Sequence, residues 1–76
     1  MGKYTRFDVS NEYGDSIEVQ ASGLLQAAIL ASRKVEGQFF MVESLDAHRR
    51  FFWCRDYKAA WEEIPASKFY DELPQS

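Results

Sequence analysis

Apolar and polar positions alternate over residues 3–9. Thr5, Phe7 and Val9 fall on one side, Tyr4, Arg6 and Asp8 on the other, which predicts a half-buried strand. Residues 10–15 read Ser-Asn-Glu-Tyr-Gly-Asp, a run of turn formers in which Gly14 can take a positive φ. Alternation resumes at 16–21, with Ile17, Val19 and Ala21 inward and Glu18 and Gln20 outward. The short break between the two strands predicts a hairpin. The period then changes: Leu24, Ala27, Ala28, Ala31 and Val35 recur at steps of three and four and predict an amphipathic helix over 23–36. Leu25 and Ile29 widen its stripe along one flank, and the alanines let the helix axis approach a sheet. Ser22 is the candidate N-cap, Arg33 and Lys34 sit where cations complement the helix dipole, and Gly37 is the candidate residue that ends the helix in a left-handed turn.

Residues 38–57 break the simple alternation. Two apolar runs, Gln-Phe-Phe-Met-Val-Glu-Ser-Leu and Arg-Phe-Phe-Trp-Cys-Arg-Asp-Tyr, flank the polar break Asp-Ala-His-Arg, which predicts a second hairpin. Phe39 and Phe40 are adjacent, as are Phe51, Phe52 and Trp53. Neighbours on a strand point to opposite faces, so both faces of this hairpin are apolar. The smoother set, Phe40 and Val42 with Phe52 and Cys54, is assigned to the face under the helix. Phe39, Met41, Phe51 and Trp53 are left on the other face, which needs a cover of its own. That cover is either the C-terminal segment, through Trp61, Phe69, Tyr70 and Leu73, or another protein.

Trp61-Glu62-Glu63-Ile64 predicts a fifth strand at the edge, closed by Pro65, and 67–73 a helical turn; 58–60 are a loop and 74–76 a frayed end. The chain is thus one α+β domain over residues 1–76. It is an antiparallel sheet of four or five strands with one helix packed on one face, in the order β-β-α-β-β with an optional last strand. Residues 65–76 form a tail or short helical turn.

Composition adds two constraints. With 76 residues, 46% hydrophobic and 16% aromatic, the chain folds but builds only a thin core. Net charge is −3, without the basic face of a general nucleic-acid binder. The imbalance is local: Lys58 and Lys68 face Asp56, Glu62, Glu63, Asp71 and Glu72 in the last quarter. One cysteine, Cys54, excludes an intrachain disulfide and a cysteine metal centre and suits a reducing compartment. No apolar run nears the ~20 residues of a membrane span, and the polar N-terminus predicts no secretory leader. The expected location is the cytoplasm.

Candidate chemistry is sparse. His48 is the only histidine and lies in the predicted turn without a ligand-spaced partner. Glu62 and Glu63 are strand neighbours that point apart, unlike a general acid/base couple. No catalytic residue, metal site or cofactor is expected, and the chain is read as non-enzymatic. The expected partner-binding surface is Phe39, Met41, Phe51 and Trp53 on the uncovered face, Arg49, Arg50 and Arg55 at the hairpin tip and along strand four, and Glu62 and Glu63 beside them. Arginine beside large rings is common at interface hot spots. The alternatives are a homodimer through the same face, or a single-stranded nucleic-acid binder that stacks bases on Phe51 and Trp53.

Over residues 4–64 the pattern resembles small phage-encoded anti-CRISPR proteins, particularly type I-F inhibitors. The likeness rests on Ile17-Glu18-Val19-Gln20-Ala21 entering a short alanine-rich helix with Leu24, Ala27 and Ala31-Ser32, then a glycine and an aromatic hairpin ending near Trp61. It implies a non-enzymatic inhibitor that docks on a CRISPR effector subunit and blocks target DNA binding in the host cytoplasm. Charge departs from that pattern: the resembled inhibitors would meet a nucleic-acid-binding surface with basic groups, whereas an acidic C-terminal segment here would occupy a basic DNA path.

Overall fold

In the computed structural model, residues 4–55 and 60–73 are described; the expectations for residue 3, for 56–59 and for 74–76 lie outside them. The alternating segments form β1 (Thr5–Asn11) and β2 (Ser16–Ala21), the aromatic runs form β3 (Phe39–Ser44) and β4 (Arg49–Arg55), and β5 is Ala60–Ile64. The helices are α1 (Leu24–Ser32) and α2 (Ala66–Asp71). All five strands join one antiparallel sheet in the order β2-β1-β3-β4-β5. β1 therefore lies between β2 and β3, and α1 carries the chain across it.

The register explains the faces. Val9 lies opposite Ile17 on one side and Val42 on the other, and Phe40 lies opposite Phe52. Phe7, Val9, Val19, Ala21, Phe40, Val42, Phe52 and Cys54 thus form a continuous apolar surface, and Ala27, Ala28 and Ala31 of α1 press onto it. Methyl-sized side chains at the contact let the helix sit low over the rings. Trp61 closes the β5 side of this layer, its ring 5.8 Å from that of Phe40. It does not join the cover of Phe39, because its position on β5 points it to the α1 face.

The opposite face is split. Over β1 and β2 it carries Arg6, Asp8, Glu18 and Gln20, all exposed, with Arg6 Nε 3.0 Å from Glu18 Oε2. That half needs no cover. Over β3 and β4 it carries Phe39, Met41, Phe51 and Trp53, and α2 folds across them. Phe69 is 2% exposed there, its ring 5.2 Å from that of Phe51. Ile64 and Leu73 complete this second cluster. The sheet is covered by two helices, each over part of one face.

The helix boundaries depart from expectation. Gly23, in an extended conformation, is the N-cap of α1 rather than Ser22. The Ser22 N–H and hydroxyl both donate to Gln26 Oε1, at 2.6 Å each, so the side chain of the first turn reaches back to the residue before the N-cap while no side chain caps the helix N–H groups. The helix stops at Ser32, not residue 36, because the chain beyond it is held elsewhere. Asn11 Nδ2 donates to the Glu36 carbonyl at 2.6 Å, and Gly37 turns with φ +122.

That region ties two connections together. Asn11 Oδ1 accepts from the backbone N–H groups of Tyr13 (3.0 Å) and Asp15 (2.8 Å), organising the β1–β2 turn. Glu12 is buried, and its carboxylate accepts from the Gln38 N–H at 3.0 and 3.2 Å and from the Phe39 N–H at 3.2 Å. A buried carboxylate needs such donors to offset its desolvation. No buried side-chain nitrogen or oxygen among the described residues lacks a partner.

At the other end of the sheet the β3–β4 loop turns through Ala47 at φ 66. The loop is closed by the Ser44 N–H to the His48 carbonyl, 2.9 Å. A β-carbon in this conformation costs roughly 1–2 kcal/mol. Part of the gain on replacing Ala47 by glycine is offset by the freer unfolded chain. Ala47→Gly is expected to raise stability by about 0.5 kcal/mol in chemical denaturation.

Candidate functional site

The β3–β4 hairpin positions most of the expected contact residues, but it does not gather them on one open face. Phe39 and Phe51 are each 8% exposed, under α2. The expectation that they form an uncovered contact surface is corrected: the C-terminal segment, through Phe69 and Leu73, is the cover. Met41 and Trp53 are half-buried at its margin. Tyr70 packs edge-on against both Phe51 and Phe69, at 5.7 and 5.6 Å between ring centroids, and keeps part of its ring in solvent.

Trp53 is the hub of that margin. Its ring stacks on Phe39 with centroids 5.8 Å apart and planes 1° from parallel. Arg55 Cζ lies 5.3 Å from the indole centroid and Lys68 Nζ 5.6 Å. The Lys68 contact ties α2 to β4 through the ring's negative face.

The arginines divide between the faces because Arg49 and Arg50 are adjacent on β4. Arg49 Nε lies 3.5 Å from Glu43 Oε2 and Arg55 Nε 3.8 Å from Glu62 Oε1, both on the α2 side. Arg50 Nε lies 3.4 Å from Glu63 Oε2 on the α1 side. These pairs follow the register, since Glu43 is opposite Arg49 and Glu62 opposite Trp53. Each is about half exposed, where such pairs contribute about 0–1 kcal/mol. Arg50→Ala and Glu63→Ala are each expected to cost less than about 0.5 kcal/mol in denaturant titration, and 0.5 M salt is expected to reduce the coupling in a double-mutant cycle further.

Two strongly exposed side chains at this end of the sheet were not among the expected contact residues. Tyr4 is 66% and Leu45 67% exposed. Phe7 opposes Ser44 across β1 and β3, so Tyr4, just before β1, and Leu45, just after β3, share the end of the sheet that also carries His48, Arg49 and Arg50. Alternation marked Tyr4 as outward-facing, whereas nothing local marked Leu45. His48 sits in the loop, its N–H donating to Ser44 Oγ at 3.3 Å. The end of the sheet thus offers a ring and a branched aliphatic chain on the face that carries Arg49, with Arg50 on the opposite face. It can bury apolar area on a partner while arginine donors meet acceptors at the rim.

No family model, curated protein or solved structure matches the chain. No group of three or more His, Cys, Asp or Glu side chains arranged to hold a metal ion occurs among the described residues. No helix among them is long and apolar enough to cross a membrane.

Proposed function

We propose that the chain is a non-enzymatic protein-binding module, in its most specific form a phage-encoded inhibitor that docks on a CRISPR effector complex in the host cytoplasm and blocks target DNA binding. The observation that carries the binding reading is the pair of large, two-thirds-exposed side chains, Tyr4 and Leu45, beside Arg49 and Arg50 at one end of the sheet. Phe39 and Phe51 of the hairpin are used internally. Tyr13, at 63%, is exposed at the opposite end of β1, without arginines beside it in the sequence, so the Tyr4–Leu45 end is the one that joins exposed apolar area to cationic groups. Several polar side chains have structural roles: Asn11 and Glu12 organise turns, and Glu43, Glu62 and Glu63 hold arginines. The effector identity rests on the sequence resemblance over residues 4–64, whose strand-helix-hairpin order agrees with the fold.

Mixing the purified protein with a type I-F effector complex tests the reading. Loss of target DNA binding in a gel-shift assay is the expected result; DNA binding unchanged at a tenfold excess of the protein removes the effector assignment. Leu45→Asp combined with Arg49→Glu and Arg50→Glu is expected to relieve the inhibition at least about tenfold, as loss of an interface hot spot does, with the thermal midpoint within a few degrees of the parent. Inhibition that survives these changes places the contact elsewhere.

A further inference from the structure

The sheet ends in two unequal edges. β5 is short, stops at Pro65, and presents Glu62 and Glu63, each held by an arginine. Proline and charge are the usual means of blunting an edge. β2 has six residues with no proline, lysine or arginine, and it forms the other end of the sheet.

The hydrogen-bond phase says what β2 offers. Residues of an antiparallel pair alternate between exchanging hydrogen bonds and not doing so. The Asn11 N–H donates to the Asp15 carbonyl at 3.0 Å, which makes Val9–Ile17 and Phe7–Val19 the next bonded pairs in the register. An independent contact agrees. The Cys54 N–H donates to the Gln38 carbonyl at 2.7 Å, which assigns Phe40 and Val42 to β4 and leaves Met41 and Glu43 to bond Ser10 and Asp8 of β1. Ser16, Glu18 and Gln20 therefore turn their backbone N–H and C=O groups away from β1, along roughly 14 Å of strand.

The flanking side chains specify an occupant. A strand added here places one residue opposite Glu18 on the polar face and its two neighbours opposite Ile17 and Val19 on the α1 face. Ile17 is half-buried and Val19 buried beside the core, so the neighbours gain from being apolar and β-branched. Glu18 is exposed and uses Oε2 for Arg6, which leaves Oε1 for a second cation. A second copy fits less well: two-fold pairing that uses the outward groups of Ser16, Glu18 and Gln20 together is centred on Glu18 and sets it against the copy's Glu18, an unfavourable juxtaposition. We propose that the outer edge of β2 receives an extended segment of a partner protein with the pattern apolar-basic-apolar, by strand addition. This surface is separate from the Tyr4–Leu45 end of the sheet, so either reading can fail alone.

The probe is the capped peptide Thr-Val-Lys-Val-Thr, with Thr-Val-Glu-Val-Thr as its control, titrated into labelled protein and followed by amide NMR. Saturable shifts and slowed exchange at the Ser16, Glu18 and Gln20 amides with the lysine peptide are expected. Glu18→Lys is expected to reverse the preference between the peptides by about tenfold, the size of a cross-strand charge reversal. Gln20→Pro removes one outward N–H without touching the β1 ladder and is expected to weaken binding while circular dichroism and the thermal midpoint confirm the fold. No shift at millimolar peptide, equal binding of both peptides, shifts confined to other surfaces, or a dimer through β2 in sedimentation would each overturn the proposal.

Discussion

Gly37→Ala is expected to destabilise the protein by about 3 kcal/mol, from two costs acting at one atom. The φ of +122 at this position charges any β-carbon roughly 1–2 kcal/mol. The added methyl would also stand 2.5 Å from Glu12 Oε1 and 3.1 Å from the Asn11 β-carbon. The carboxylate cannot hold its place, so the Gln38 and Phe39 N–H groups lose a charged acceptor and the anion loses its donors, a further 1–3 kcal/mol or so. For a domain of this length each kcal/mol lowers the thermal midpoint by roughly 4–8 °C, so a fall of more than 10 °C is expected by calorimetry. The mechanism makes a sharper statement than the magnitude. Glu12→Ala removes the atom that the methyl strikes, so the double variant is expected to lie well short of the summed singles. Full additivity would show that the two residues do not act on each other.

Phe69→Ala is expected to cost about 3 kcal/mol or more, the usual range for emptying a buried phenylalanine site, and to release α2 from the sheet. The six-residue helix has no side-chain N-cap and is far too short to persist unaided. Its attachment consists of Phe69 against Phe51, the Tyr70 edge contacts, Leu73, and Lys68 over Trp53. With Phe69 gone, Phe39 and Phe51 become accessible to water. The measurable results are binding of a hydrophobic dye, a red-shifted Trp53 emission read in a Trp61→Phe background, and self-association at high concentration. A variant that stays monomeric, binds no dye and loses less than about 1 kcal/mol would show that Phe69 does not anchor the cover.

What the chain disclosed in advance follows from the range over which each signal acts. Period-two alternation is local, so β1, β2 and the two faces of the aromatic hairpin were legible, including the assignment of Phe40, Val42, Phe52 and Cys54 to the α1 side. The demand for a second cover was legible for the same reason, since adjacent rings on a strand cannot share a face. Which group supplies that cover is a long-range fact. Phe69 and Leu73 reach it and Trp61 does not, because β5 pairs with β4 in a register that places Trp61 opposite Cys54. The position of β1 between β2 and β3 was equally hidden, as was the early end of α1, where Asn11, 25 residues away, takes the Glu36 carbonyl. The candidate site was legible as a set of residue types and not as a surface. Strand neighbours such as Arg49 and Arg50 part company across the sheet, and each charged residue met a cross-strand partner that only the register reveals.

The knot of Asn11, Glu12 and Gly37 fastens two connections together at one end of the sheet, while the Leu45–His48 loop at the far end closes only on itself. The two ends will therefore respond differently to added chain. A short epitope spliced between Ala47 and His48 lengthens one hairpin and leaves the remaining ladders in place. The same epitope spliced between Tyr13 and Gly14 separates the Asn11 side chain from the Asp15 amide and loosens both connections at once. Labels, purification handles and cross-linkable probes belong at the first position, although there they sit beside Tyr4, Arg49 and Arg50 and double as a blockade of the surface proposed to meet the partner.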